Sequence, residues 1–393
     1  MKFNRLEDAE LSGKTALLRV DFNVPRSDDG SISDHTRLDA AIPTIKHLID
    51  AKAKTVILSH FGRPKGEIKP ELSLNFMVDP LSQRIDQEVL FCEKPDQAAI
   101  DALPAGGVML VENTRFAKME TDGAEPMAKY LASFGDLYVQ DAFSAAHRRH
   151  VSSAVLGEHL PAYAGLAMER ELDHLAQALE HPKPPIMAVV GGAKVSTKLD
   201  LLSNLVKKLD ILVIGGGMAN TFLAAQGYKV GKSLCEHDLA ETARQILETA
   251  AAENCKIVLP IDVVCAKDFK ANAENRTCSI EDVAEDEMIL DAGPDTVNLI
   301  ADNMDRVETL IWNGPLGAFE ITPFDTSTVE AAKYAAKQTR SGKLISVAGG
   351  GDTVAALKHA GASNDFTFIS TAGGAFLEWM EGKTLPGVKI LET

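Results

Sequence analysis

What most constrains this chain is how its short apolar runs end. In the first half these runs are "TALLRV" (15–20), "TVILSH" (55–60), "GVMLVEN" (107–113) and "DLYVQDA" (136–142). In the second half they are "PIMAVVGG" (185–192), "DILVIGGG" (210–217), "KIVLPIDV" (256–263), "TLIWNGPLG" (309–317), "KLISVAGGG" (343–351) and "FTFISTAGG" (366–374). Near-continuous Val, Ile and Leu predict strands buried on both faces, as in a parallel sheet covered by helices. Amphipathic stretches between them, such as 200–210 and 238–255, predict the covering helices. The class is α/β, doubly wound. In such sheets ligands bind beyond the carboxyl ends of the strands. Those ends carry Asp21, Asn23, His60, Arg63, Arg115, His147 and Arg148 in the first half, and glycine clusters in the second. The first half is thus suited to gripping an anion with side chains, the second to bringing backbone close to a ligand.

At 393 residues the chain exceeds one typical core and predicts two or three domains. The stretch 163–185 has helical spacing and ends in Pro182, Pro184 and Pro185, so it reads either as a connector or as an ordinary core helix. A formal net charge of -16 argues against nucleic acid or a membrane surface as partner, both being polyanions. It leaves room for a small anion that senses only a local field. The first residues carry acids and no apolar segment, so no signal peptide is expected, and no apolar run reaches a membrane span. Five scattered cysteines without a C-x-x-C pair predict reduced thiols in a cytoplasmic protein.

Against that acidity, "DAFSAAHRRHVSS" (141–153) places His147, Arg148, Arg149 and His150 side by side. It reads as a solvated turn or as an anion site. "VVGGAKVSTKLD" (189–200) is a strand, a Gly pair at 191–192 and a helix start, with Lys194 and Lys198 on one helix face. Backbone N–H groups and a helix N-terminus there suit a polyphosphate, and a tight turn with two solvated lysines is the plain alternative. "VIGGGMANTFL" (213–223), with Gly216 and Gly217, repeats the design. So does "SVAGGGDTVAAL" (346–357), with Gly349, Gly350, Gly351, Asp352 and Thr353. Asp352 is either an N-cap or a magnesium ligand. "GYKVGKS" (227–233) is one residue short of a Walker A loop, and no G-x-G-x-x-G follows a strand.

Taken in order, "LLRVDFNVP" (17–25), "SHFGRP" (59–64), "LVENTRF" (110–116), "DAFSAAHR" (141–148), "GGAKVSTK" (191–198), "IGGGMANTFL" (214–223), "WNGPLGAFE" (312–320) and "GGGDT" (349–353) resemble phosphoglycerate kinases over essentially the whole chain. The resemblance implies a cytoplasmic, monomeric enzyme of two Rossmann-like lobes joined by a helix. It would move phosphate between 1,3-bisphosphoglycerate and Mg-ADP, giving 3-phosphoglycerate and Mg-ATP. The lobes would be 1–170 for the glycerate and 171–376 for the nucleotide, with 377–393 returning to the first. Position by position, the resemblance assigns Asp21, Asn23, Arg37, His60, Arg63, Arg115 and Arg148 to the glycerate. It assigns Gly192, Lys198, Gly216, Gly217, Asn313, Glu320 and the loop from Gly349 to Thr353 to the nucleotide, with Asp352 at magnesium. Lys194 and Arg37 would act on the transferring group. His147 and His150 would support the site, and Arg149 would be surface charge. Phe61, Ser144, Ala145 and Ala372 depart from the family pattern beside these positions. A non-catalytic nucleotide-binding or scaffold protein of the same fold is the alternative.

Overall fold

A computed structural model describes residues 2–179, 181–370 and 372–393. Residue 371 of the apolar run 366–374 and residue 180 of the 163–185 stretch lie outside the described residues. The chain divides into two compact units, Met1–Asp173 with Thr384–Thr393, and His174–Lys383.

The first unit carries β1 (Thr15–Arg19), β2 (Lys54–Leu58), β3 (Val89–Cys92), β4 (Val108–Val111), β5 (Leu137–Gln140) and β6 (Ala162–Ala164). They form one sheet in the order β3-β4-β2-β1-β5-β6, every pair parallel. The order reverses at β1, so the loops after β1, β2, β4 and β5 end side by side at one edge. Leu18, Val20, Ile57, Leu110 and Val139 pack under Leu38, Ile45 and Leu48 of the helix Thr36–Asp50. Each such side chain contributes about 1.5–3 kcal/mol on burial. The C-terminal segment is tied to this unit by Asn4 N–H donating to Leu391 O at 2.9 Å and Gly387 N–H donating to Ala146 O at 2.8 Å.

The second unit carries β7 (Ile186–Val190), β8 (Ile211–Ile214), β9 (Lys256–Val258), β10 (Asp262–Ala266), β11 (Asn275–Ser279), β12 (Met288–Ala292), β13 (Thr309–Asn313), β14 (Ile345–Gly349) and β15 (Phe368–Ser370). Its main sheet runs β15-β14-β13-β7-β8-β9, again all parallel. Val189, Val213, Leu310 and Trp312 face helices, among them Thr326–Arg340, whose four buried alanines permit close approach. The expected strand 256–263 is two strands. Pro260 cannot donate to a ladder, so β9 ends before it, and β10 starts a separate antiparallel sheet, β11-β10-β12. The chain passes from one unit to the other within the helix Leu166–Leu179. No helix among the described residues is long and apolar enough to cross a membrane.

Candidate functional site

In the first unit, the "VDFNVP" loop after β1 is fixed by the loop after β2. The Ser59 hydroxyl donates to Val20 O at 2.8 Å and accepts from Phe22 N–H at 2.9 Å. Asn23 accepts from Gly62 N–H at 2.9 Å through its side-chain oxygen, joining the two loops. Asp21 accepts from Asn23 N–H at 3.0 Å and from the Ser144 hydroxyl at 2.5 Å, and pairs with Arg37 at 3.1 Å. Arg37 also donates to Asn23 O at 2.7 Å. Burial works against ionisation of Asp21. Arg37, the Ser144 hydroxyl and Arg19 oppose it, and the carboxyl is held below its usual range.

Arg115 follows β4. Asn113 holds its backbone N–H at 3.1 Å, and its guanidinium donates to Gly62 O at 2.9 Å. Burial, then Arg19 and Arg148, lower its pKa to about 10. Arg148 donates to His147 Nε2 at 3.0 Å. His150 is pushed down to about 4 by burial and then by Arg115, Arg148, Arg19 and His147. His60 is held well below the usual histidine range by burial, Arg19, Arg115 and Arg37, against the opposing pull of Asp21. Arg19, Arg37, Arg115 and Arg148 together make a local positive field on a chain of net charge -16. Arg63 is exposed and makes no hydrogen bond or ion pair among the described residues. Arg149 is spent on Glu158 at 2.8 Å, as surface charge would be.

The structure thus brings Asp21, Asn23, Arg37 and His60 into one network, with Arg115 and Arg148 acting on it through their charge. Sequence reading missed the groups beneath: Arg19, Ser59, Asn113, Glu120 and Ser152, all buried. Arg19 had a readable signal, a lone charge inside the apolar run "TALLRV". Of the departures from the family pattern, Ser144 bonds directly to Asp21, and Phe61 packs on Phe76 with centroids 5.0 Å apart.

In the second unit the strand ends are built from backbone. Gly314, at φ +103, is so close to Gly191 that an added Cβ would lie 2.1 Å from Gly191 O. At Gly216, φ +66, it would lie 2.7 Å from Gly192 O. Only glycine fits either position, and this brings the loops after β7, β8 and β13 together. The helices Gly217–Ala225 and Gly351–His359 start directly after β8 and β14, each with a partial positive charge at its N-terminus, and in the first Met218 N–H is already committed to Gly192 O at 3.0 Å.

Lys198 reaches back to Gly191 O at 2.6 Å, Asn313 Oδ1 at 2.6 Å and Asn313 O at 3.3 Å. Burial lowers its pKa to about 8, with Asp352 opposing. Asn313 in turn donates to Gly349 O at 2.7 Å, and the Thr353 hydroxyl accepts from Gly314 N–H at 2.7 Å. In this structure Lys198, Asn313 and Thr353 therefore bind the loops to one another. Lys194, Asp352 and Glu320 are exposed, and their side chains make no hydrogen bond or ion pair among the described residues. Glu320 is in the loop after β13. Asp352 is a single carboxylate in the first turn of a helix, and no group of three acids, histidines or cysteines able to hold a metal occurs among the described residues. That donor set suits a magnesium ion shared with substrate phosphates and water, rather than one caged by protein.

Two doubly wound units, one with clustered cationic side chains and one with glycine loops opening helices, define an α/β protein built for phosphorylated ligands. The family profile "Phosphoglycerate kinase" matches residues 6–383. A phosphoglycerate kinase of Maricaulis maris is 59% identical over 392 residues, covering 98% of this chain and 97% of its own. One from Caulobacter sp. strain K31 is 59% identical and covers 100% of both chains. Among solved structures, phosphoglycerate kinase from Coxiella burnetii superposes with a TM-score of 0.94 at 42% identity, covering 99% of each chain. The enzyme from Pyrococcus horikoshii gives 0.81 at 30% identity, covering 99% of this chain and 98% of its own. The chain belongs to the phosphoglycerate kinase family. It is a phosphotransferase with a carboxyl group as acceptor, catalysing reversible phosphoryl transfer between 1,3-bisphosphoglycerate and ADP. Full-length identity at this level supports the catalytic reading over a scaffold of the same fold.

Proposed function

We propose that the first unit holds the phosphoglycerate and the second holds the nucleotide. Asp21, Asn23, Arg37, His60, Arg63, Arg115 and Arg148 bind 3-phosphoglycerate or 1,3-bisphosphoglycerate. Gly192, Lys194, Lys198, Gly216, Gly217, Asn313, Glu320 and the loop from Gly349 to Thr353 serve ADP or ATP. The observation that carries this reading is the gathering of Arg37, His60, Arg115 and Arg148 around adjacent ends of β1, β2, β4 and β5. Arg is suited to gripping phosphate and carboxylate bidentately, Lys to a mobile point charge.

The chemistry needs no general base, because the attacking or leaving group is a carboxylate. Catalysis rests on alignment and on a field for spread negative charge. Lys194, whose amine makes no hydrogen bond or ion pair among the described residues, follows the transferring phosphoryl group. Arg37 keeps Nε and Nη2 available for it while Nη1 stays on Asp21 and Asn23. Helix N-terminal amides orient the nucleotide phosphates. Asp352 would hold a magnesium ion brought in with the nucleotide, and the ion would supply charge neutralisation for the phosphates. Lys198 supports the cradle through Gly191 and Asn313 and is near enough to Asp352 to sense the charge placed there.

Transfer requires both ligands to come within bonding reach with water kept out. We expect binding of both substrates to compact the molecule, and an unchanged radius of gyration in solution scattering would overturn that closure. The protein works as a cytoplasmic monomer. The assignment of ligands is tested by calorimetry on the full chain. Arg63→Ala should weaken 3-phosphoglycerate binding about tenfold and leave ADP binding unchanged. Loss of ADP affinity instead would reverse the assignment.

A further inference from the structure

Arg19 ends β1 and is 1% exposed, yet no ion pair to it is present among the described residues. Its three nitrogens are each committed. Nε donates to Ser152 Oγ at 3.0 Å, Nη1 to Val20 O, and Nη2 lies 2.9 Å from His60 Nδ1. Behind it the Ser152 hydroxyl donates to Glu120 Oε1 at 2.6 Å, and Ser152 N–H to Oε2 at 3.0 Å. The direction of every bond in this chain is fixed. Ser152 spends its one proton on the carboxylate, so it can only accept from Arg19. A guanidinium has N–H donors, no acceptor, and does not lose its proton in proteins. The contact with His60 therefore has one possible polarity: Arg19 donates and Nδ1 accepts. An imidazole accepting at Nδ1 carries its hydrogen on Nε2.

We infer that Arg19 is a positioning residue that locks His60 as the neutral Nε2–H tautomer and turns that N–H to the anionic ligand as a hydrogen-bond donor. The ligand half of this inference rests on the place given to His60 above. His60 Nε2 has no hydrogen bond among the described residues and is not one of the buried atoms left without a partner, so the little exposure this ring keeps includes Nε2. The groups that face the ring are Arg19, Arg37 and Arg115, which disfavour an imidazolium, and Asp21, which favours one. Burial adds to the first three. A neutral donor meets the ligand without adding a fourth cation to that cluster.

The test is 15N NMR of histidine-labelled, full-length enzyme, with His60 assigned by His60→Gln. In the wild type, Nδ1 should resonate as an unprotonated acceptor, Nε2 as protonated, with neither moving from pH 5.5 to 8. Arg19→Met should let His60 titrate inside that window, and Arg19→Lys, which keeps the charge and a donor, should restore the neutral state. The KM for 3-phosphoglycerate of Arg19→Met, taken as a ratio to wild type so that the ligand's own titration cancels, should be raised about tenfold at pH 8 and vary with pH. The kcat should change less. A protonated Nδ1, or a wild-type titration centred near 6.5, overturns the lock, and this reading does not depend on any variant folding. The expected tautomer without a shift on adding 3-phosphoglycerate supports the lock while overturning the ligand role of His60.

Discussion

The two units share one architecture and differ in what stands at the strand ends. In the first, the ends carry Asp21, His60, Arg115 and Arg148, and beneath them lies a buried polar layer of Arg19, Ser59, Glu120 and Ser152. In the second, the ends are Gly191, Gly192, Gly216, Gly314 and Gly350, held by backbone and by Lys198, Asn313 and Thr353. The difference follows from the ligands proposed for each. A small triose phosphate offers charge at few points, and side chains can be aimed at each. A polyphosphate is an extended chain of anionic oxygens, and close backbone with helix N-termini can follow it. The first site therefore stores its function in atoms that can be removed without disturbing the chain. The second stores it in the path of the chain itself.

The largest expected effect tests the exception to that division. Lys194 is a side chain in a backbone site, exposed and unpaired. Lys194→Ala should lower kcat about a thousandfold, the scale of one lost electrostatic contact to a transition state. ADP affinity, measured by calorimetry, should stay within a few fold. Near-normal turnover would sink the role given to Lys194. Next is Gly314→Ala. Its Cβ would lie 2.1 Å from Gly191 O at φ +103, in a fully buried turn, and the loss of stability should be about 3 kcal/mol. The protein's two tryptophans, Trp312 and Trp379, both lie in the second unit, and Trp312 Nε1 donates to Gly314 O at 2.8 Å. Tryptophan fluorescence in denaturant therefore reads that unit. An unshifted midpoint would mean that the loops can part, and that the site is not set by the path of the chain.

The sheets were legible because Val, Ile and Leu buried on both faces leave an apolar run, as in "TVILSH" and "DILVIGGG". Other strands were not picked out in this way. β3 and β6 are short edge strands of four and three residues. β11, "NRTCS", is polar and mostly exposed, because its antiparallel sheet has a solvated side. β10 hid behind Pro260 in one continuous apolar run. At the site, residues at strand ends could be picked out because polar groups in apolar company are conspicuous. What could not be read was commitment. Nothing in "GGAKVSTK" distinguishes Lys194, whose amine is unpaired, from Lys198, whose amine is bonded to Gly191 and Asn313. The pairing with Asn313 depends on a residue 115 positions away. The same holds for Glu120 and Ser152, which meet Arg19 only through the fold.

A smaller effect compares the units through pH. Asp291 is buried beside Ser327, and burial pushes its carboxyl up to about 7 against the hydrogen bonds from Ser327. A carboxyl whose pKa is higher in the folded than in the unfolded chain binds more protons when folded. Between about pH 4 and 7 its stabilising effect is therefore lost as pH rises, and above 7 there is no further change. Asp291→Asn removes this dependence. Relative to wild type, the variant should gain roughly 3 kcal/mol between pH 4.5 and 8, read by tryptophan fluorescence in denaturant. A constant difference across that range would show that Asp291 ionises normally. Asp141 in the first unit is likewise raised to about 7 by burial, so the effect belongs to buried carboxyls in both units and not to either ligand set.

The smallest contrast lies between neighbours in "AAHRRH". Arg148 is exposed, its side chain hydrogen-bonds only to His147 among the described residues, and it adds to the field that depresses Arg115 and His150. Arg149 is held by two hydrogen bonds to Glu158, at 3.0 and 2.8 Å. Arg148→Ala should raise the KM for 3-phosphoglycerate about tenfold, the cost of one charge-assisted contact. Arg149→Ala should change it less than twofold, since an exposed ion pair contributes little and lies outside the proposed ligand set. Added salt separates a contact from a general field. A field effect at Arg148 would fade over a Debye length of about 8 Å at physiological ionic strength, and the two variants would converge. A bidentate contact would keep them apart. Equal KM values for the two variants at every salt concentration would mean that the first site works by bulk charge, and the side-chain half of the comparison between the units would fall with it.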